Sequence, residues 1–287
     1  MAEKVFLNDG LTDLNKACVS IRDTGFLYGA GLFETMRSYN GTVFALDEHL
    51  HRLFSSIEAL AINNTYSRSD IEDAIKAVLV ANELTNARLR LTLTSGAITG
   101  EENLPQSTLL VTASPITPYP KEYYEKGIKL ILSPYRQNPH DPTAGHKTLS
   151  YFSRIFALNF AHTKGGVEAV WFTTSGFLAE GCISNIFLVK DSKIFTPTVQ
   201  TPVLPGITRK MICRLAEENS IELVEKDLTI DDTLGADEVF ITNSIMQVMP
   251  VNSLEKHAYG NGKVGTVTKK IAALYKQLIE SQCGAEK

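Results

Sequence analysis

Lys147 is the residue of this sequence best suited to covalent chemistry. It closes a Pro- and Gly-bearing loop at 138–147, follows Gly145 by two positions, and has no aspartate or glutamate within four residues. A lysine without a near carboxylate and partly withdrawn from water gives up its proton more easily and can attack a carbonyl as the free amine. A solvated loop lysine would leave the same local text. Glu180 lies between Leu178-Ala179 and the strand-like run CISNIFLV, where a strand-edge carboxylate can reach a buried cation or equally stand exposed in a turn. The third feature is LPGITRK at 204–210. Pro and Gly halt the preceding chain and a helix opens at Ile207-Thr208, so backbone N–H groups, the helix dipole and a hydroxyl together form a seat for an anion. An ordinary helix start has the same spelling.

Other chemistries lack their residues. Glu48, His49 and His51 do not make the i, i+4 histidine pair of a metallohydrolase helix, and no metal is expected. Cys18, Cys182, Cys213 and Cys283 form no C-x-x-C pair, which suits reduced thiols. G-x-S-x-G and Walker motifs are absent.

The elements that must position these residues follow from patterning. With 287 residues, 44% of them hydrophobic and 21% charged, the chain can bury a sizeable core. A net charge of -4 gives no long-range pull toward nucleic acid or anionic lipid. No stretch approaches the roughly 20 apolar residues of a membrane span, and MAEKVFLNDG lacks a signal-peptide core, so a cytoplasmic protein is expected. Asn40-Gly41 between LFETMRSY and TVFAL predicts a hairpin. Asp47 then caps a helix carrying Leu50, Leu53, Phe54, Ile57 and Leu60, and a second helix begins near Ser69. Strands at ARLRLTLTS and STLLVTAS complete one α/β unit. The three prolines of SPITPYP at 114–120 mark a linker. The expected domains are 1–117, a smaller α/β unit, and 118–287, carrying Lys147. In the second, helices at 149–162, 207–219 and 264–282 accompany many short strands, which suggests a folded-over sheet or pseudo-barrel. The terminal helix is expected to bury Val264, Val267, Ile271, Leu274 and Leu278.

Six segments stand in order along the chain: YGAGLFETMR at 28–37, EHLHRL at 48–53, NPHDPTAGHKTLSY at 138–151, EGCISNIF at 180–187, LPGITR at 204–209 and ITNSIMQVMPV at 241–251. Together they resemble the class IV aminotransferases, a pyridoxal-phosphate family of branched-chain aminotransferases, D-amino acid aminotransferases and aminodeoxychorismate lyases. The resemblance implies the family's two-domain α/β fold, with pyridoxal 5'-phosphate in the cleft between the domains, and a homodimer. It makes Lys147 the Schiff-base lysine and the acid/base at the substrate Cα. Arg52, Ile207, Thr208 and Asn243 would bind the cofactor phosphate, Glu180 the pyridinium nitrogen, and Tyr151 would lie near the phenolic oxygen. Tyr28, Phe33 and Thr35 would line the side of a small amino substrate. The text around Lys147 and at 242–251 is most similar to aminodeoxychorismate lyase, which implies release of pyruvate and 4-aminobenzoate. A transaminase using 2-oxoglutarate would employ the same residues, and an idle cofactor-binding relative is the third possibility. Where many relatives carry an arginine-rich segment after the strand LRLTLT, this chain has TSGAITGEENLP. The substrate carboxylate therefore needs another partner, with Arg37, Arg88, Arg90 and Arg136 as candidates.

Overall fold

A computed structural model describes residues 2–98, 106–260 and 262–285, so part of TSGAITGEENLP, residues 99–105, lies outside the described residues. The chain forms two compact units. The first contains the chain to Thr117, His146–Tyr151 and the C-terminal stretch from Ile279; the second contains Pro118–Gly145 and Phe152–Leu278. Among the described residues no helix is long and apolar enough to cross a membrane.

The first unit is built on an antiparallel sheet. Its strands are β1 (Lys4–Leu7), β2 (Gly10–Asp13), β3 (Gly31–Tyr39), β4 (Thr42–Val43), β5 (Ala87–Thr94) and β6 (Thr108–Pro115), in the order β2-β1-β6-β5-β3-β4. Asn40 and Gly41 turn the β3–β4 hairpin with φ of 50° and 82°, the left-handed pair that a tight hairpin requires. A short helix α1 (Thr24–Tyr28) precedes β3, while α2 (Leu46–Ala59) and α3 (Arg68–Ala81) join β4 to β5. Their apolar stripes, including Leu50, Leu53, Ile71, Ile75 and Val78, share one core with Leu32, Met36, Leu89, Leu91 and Leu93 of β3 and β5. Helix α3 is capped by Ser67 and Asp70 in a reciprocal capping box. The expected Asp47 cap of α2 does not form. The turn is made by left-handed Ala45, φ 52°, and Asp47 falls inside the first helical turn, where its charge still suits the dipole.

The second unit contains α4 (Lys121–Lys126), β7 (Ile128–Gln137), α5 (Phe152–Thr163), β8 (Glu168–Thr173), β9 (Leu178–Gly181), β10 (Asn185–Lys190) and β11 (Lys193–Thr196). There follow α6 (Ile207–Glu218), β12 (Leu223–Glu225), α7 (Ile230–Leu234), β13 (Glu238–Asn243), β14 (Gln247–Leu254), β15 (His257–Ala258) and α8 (Thr266–Cys283), whose last turn belongs to the first unit. The strands form a mixed sheet ordered β12-β11-β10-β13-β14-β7-β8-β9, with β15 on β14. Ala157 and Ala161 of α5 pack with Ile131, Ala169 and Trp171 of the sheet. The buried stripe of α8 is Thr268, Ile271, Tyr275, Ile279 and Cys283, whereas Val264, Val267, Leu274 and Leu278 are only half-buried. Tyr275 rather than Leu274 continues the 3–4 spacing from Ile271, so the face is rotated from the one that counting aliphatic residues suggests.

Residues 146–151 follow the proline-rich linker in sequence yet pack in the first unit. The Phe33 N–H donates to the Lys147 carbonyl at 2.9 Å and the Leu149 N–H to the Gly31 carbonyl at 2.9 Å. The segment thus adds a short antiparallel bridge, Leu32 to Thr148, on β3. Gly31 permits this approach, since a Cβ there would meet the Leu93 carbonyl oxygen at 2.6 Å and Leu149 Cδ1 at 2.8 Å. Gly31→Ala should therefore lower the unfolding free energy by about 1–3 kcal/mol, the usual cost of overpacking. Denaturant titration checks this, and unchanged stability would refute the close approach.

Candidate active site

In the first unit, β3 sorts its residues onto two faces by strand alternation. Phe33 and Thr35 lie on the face opposite the Leu32–Met36 core, and β5 sets Arg90 directly across from Thr35. The Arg90 guanidinium carbon stands 3.9 Å from the centroid of the Phe33 ring, and the Lys147 ammonium nitrogen 4.4 Å from it. Tyr151 packs edge-on against Phe33 at 5.3 Å, with Lys147 Nζ 5.9 Å from its own centroid. Among the described residues no carboxylate pairs with Arg90. Burial, with Arg88 nearby, pulls its guanidinium down from the usual value, though an arginine remains charged. The result is a lysine and an arginine on one aromatic ring, a setting that attracts a carboxylate.

Glu34 points the other way, into the core between Leu32 and Met36, and is 1% exposed. Arg52 of α2 meets it with Nε at 2.8 Å from Oε1 and Nη2 at 2.5 Å from Oε2. His49, one turn earlier, places Nδ1 2.7 Å from Oε2. Burial alone would raise the Glu34 carboxyl, but Arg52 and His49 together hold it at about 2. Burial likewise pushes His49 down, against the pull of Glu34. Because an ionised carboxylate only accepts, Nδ1 of His49 carries the hydrogen. Glu34 therefore fixes one edge of the Arg52 fork. One turn beyond Arg52, Ser56 lies 2.9 Å from Nδ1 of His146, the residue before Lys147. Helix α2 and strand β3 thus grip the lysine segment together, and Arg52 sits on the helix face that does so. Tyr28 stands apart, 67% exposed at the end of α1.

The second unit gathers the remaining expected residues around one loop. Glu180 is the penultimate residue of β9 and is 6% exposed. Its Oε2 accepts the Leu204 N–H at 2.9 Å, and its Oε1 is 2.6 Å from Nη2 of Arg154. Asn185 donates Nδ2 to the Leu204 carbonyl at 2.9 Å, so both sides of the Leu204 peptide are held. Gly206 follows because a Cβ there would lie 1.9 Å from Asn185 Oδ1. This loop delivers the start of α6, where Ile207 and Thr208 are buried and no side chain caps the helix. The first intrahelical bond is from Lys210 N–H to Gly206 O, so the amides of Ile207, Thr208 and Arg209 precede the ladder. A buried, uncapped helix start is suited to an anion. Asn243 is largely occupied: its Oδ1 accepts from Ile245 and Met246 N–H, and its Nδ2 donates to the Ile183 carbonyl. At most one amide hydrogen is left for a ligand.

Sequence reading missed Glu34, His49, Arg154, Asn185 and Glu168. Glu34 had a visible signal, a charged residue at an inward position of a strand otherwise alternating apolar. Glu168 is fully buried and accepts from the amides of Ala169, Cys182 and Ile183 and from the Ser184 hydroxyl, shaping the turn between Glu180 and Asn185. Among the described residues no cluster could hold a metal ion.

Comparison with known proteins gives one family. The description "Amino-transferase class IV" matches residues 31–254. A Methanocaldococcus jannaschii protein provisionally named a branched-chain-amino-acid aminotransferase is 36% identical over 281 residues, covering 96% of each chain. The aminodeoxychorismate lyase of Bacillus subtilis is 31% identical over 96% of this chain and 95% of its own. The crystal structure of the Escherichia coli branched-chain amino acid aminotransferase superposes with a TM-score of 0.88 at 30% identity, covering 94% of this chain and 92% of that one.

The Glu34 pair makes the first unit acid-sensitive. An unfolded chain protonates Glu34 near 4.5 and the folded one near 2, so its contribution is present above pH 4.5 and lost as pH falls through 2. The difference is worth about 3 kcal/mol. His49, with a folded value below 6.5, acts in the same direction and withdraws its contribution below that pH. Urea unfolding should show stability falling steadily on acidification. Glu34→Gln should cost about 3 kcal/mol at neutral pH by leaving Arg52 without its counter-charge, and should flatten the acid slope. Equal stability of variant and parent would contradict the pair.

Proposed function

The chain belongs to the class IV aminotransferases, pyridoxal-phosphate enzymes, and on that premise we propose that it transfers the amino group of an aliphatic amino acid to a 2-oxo acid. The observation that carries this reading is Lys147 and Arg90 against one aromatic ring, that of Phe33, with no carboxylate pairing with Arg90 among the described residues. Amino acids and 2-oxo acids share one carboxylate beside the reacting carbon, and this pair suits both ends of that motif.

The residues fit the cofactor's three recognition needs. Lys147 would hold it covalently through the ε-amine, and Tyr151 would border its phenolic edge. Arg52, oriented by Glu34, and the amides at Ile207 and Thr208 would hold the phosphate, with Asn243 offering at most one hydrogen. Glu180 would meet the pyridine nitrogen. When bound, the cofactor supplies an electron sink for the pair left at the substrate Cα. Lys147 would also serve as the acid and base that takes up and delivers the substrate Cα proton. Phe33 and Thr35 would border the substrate, and Arg90 would hold its carboxylate. Tyr28 we assign to the substrate side only within a homodimer, which the exposure of Ile21 (78%) and Phe26 (72%) supports.

A second reading, the release of pyruvate and 4-aminobenzoate from aminodeoxychorismate, is supported by the Bacillus subtilis relative. Acceptor dependence separates the two. Loaded enzyme given valine or leucine alone should form one equivalent of 2-oxo acid and stop, and 2-oxoglutarate should restore turnover with ping-pong kinetics. Arg90→Ala should then raise KM for both substrates by about 10-fold or more. Inertness toward amino acids, with repeated pyruvate release from aminodeoxychorismate and no acceptor, would move the assignment to the lyase.

A further inference from the structure

Arg154 is the third residue of α5 and is fixed from three sides. Nη2 stands 2.6 Å from Glu180 Oε1, Nη1 donates to the Gly181 carbonyl at 2.9 Å, and the guanidinium lies 5.0 Å from the centroid of the Trp171 indole. The Arg154 and Glu180 side chains are 17% and 8% exposed, so the pair is little screened by water. Glu180 in turn has its second oxygen on the Leu204 N–H, so the carboxylate cannot rotate without breaking a bond at one end or the other. A carboxylate in this position that served only as a counter-ion would need no guanidinium: a cation beside it draws on the same negative charge that a protonated ring nitrogen would use.

We infer that Arg154 is a positioning residue for Glu180, holding its carboxylate in one orientation and sharing its charge, so that the cofactor's ring nitrogen holds a proton less tightly than over an unshared carboxylate. This rests on the reading that Glu180 faces that nitrogen. A shared carboxylate favours a ring that accepts electrons less strongly. The other ionisable groups of this turn are Glu168, whose carboxyl is committed to the amides and hydroxyl of residues 169–184, and the Cys182 thiol, which burial pushes up to about 12.

The test is nitrogen-15 NMR of the holoenzyme loaded with ring-labelled cofactor, followed across the pH range in which it stays folded. In Arg154→Gln the ring nitrogen should keep its proton to higher pH, by about one unit or more, as expected on removing a cation within hydrogen-bond reach of its counter-ion. Arg154→Lys, which retains the charge, should titrate close to the parent, a rescue that a purely packing role would not produce. Arg154→Met provides a second neutral variant should the glutamine protein not fold. Glu180→Gln serves as the reference and should move the titration to lower pH. If Glu180→Gln moves the titration while both neutral Arg154 variants follow the parent, the inference about Arg154 fails and the reading of Glu180 stands. If Glu180→Gln leaves the titration where it was, the reading of Glu180 itself fails and the inference falls with it.

Discussion

Two backbone hydrogen bonds, Phe33 N–H to Lys147 O and Leu149 N–H to Gly31 O, set where the Lys147 amine can be. They turn a loop lysine into a residue of a sheet edge, with a side chain whose direction is dictated by strand alternation. Phe33 then lies under the ammonium because it is the β3 residue paired with Lys147, and Arg90 reaches the same ring because β5 is in register with β3. Gly31 is needed for the approach, and the Ser56–His146 contact secures it from the helix side.

Charge is distributed to suit an anionic ligand. Arg52 is neutralised in part by Glu34, whose own desolvation is offset by two partners, and burial pushes the imidazole of His49 beside them down from its usual value. Arg90 has no such partner among the described residues. The second unit repeats the principle with the opposite sign, since Glu180 is gripped by Arg154 and a backbone amide while the start of α6 is left uncapped. Groups that must keep a fixed direction are held by a second group, and those suited to meet a ligand are presented by backbone geometry.

Much of this was legible from sequence because it is local. The Asn40-Gly41 hairpin, the stripes of α2 and α3 and the opening of α6 each depend on residues a few positions apart. What was not legible depends on distant pairing. Glu34 and Arg52 are 18 residues apart, Arg154 and Glu180 are 26 apart, and each meets its partner only once a strand and a helix are packed. The strands β1 and β2 escaped because four-residue strands give too little alternation to read. Asp47 misled because a capping side chain and a first-turn acid look alike in sequence, and only left-handed Ala45 distinguishes them. The roles proposed for Lys147, Arg52 and Glu180 rest on family resemblance; composition and spacing leave each with a bland alternative.

The most direct test of the account is where the cofactor attaches. Protein reconstituted with pyridoxal phosphate, reduced with borohydride and digested should carry one phosphopyridoxyl group, found by mass spectrometry on Lys147. Modification of a different lysine, or no retained group after reduction, would contradict the assignment on which the rest depends.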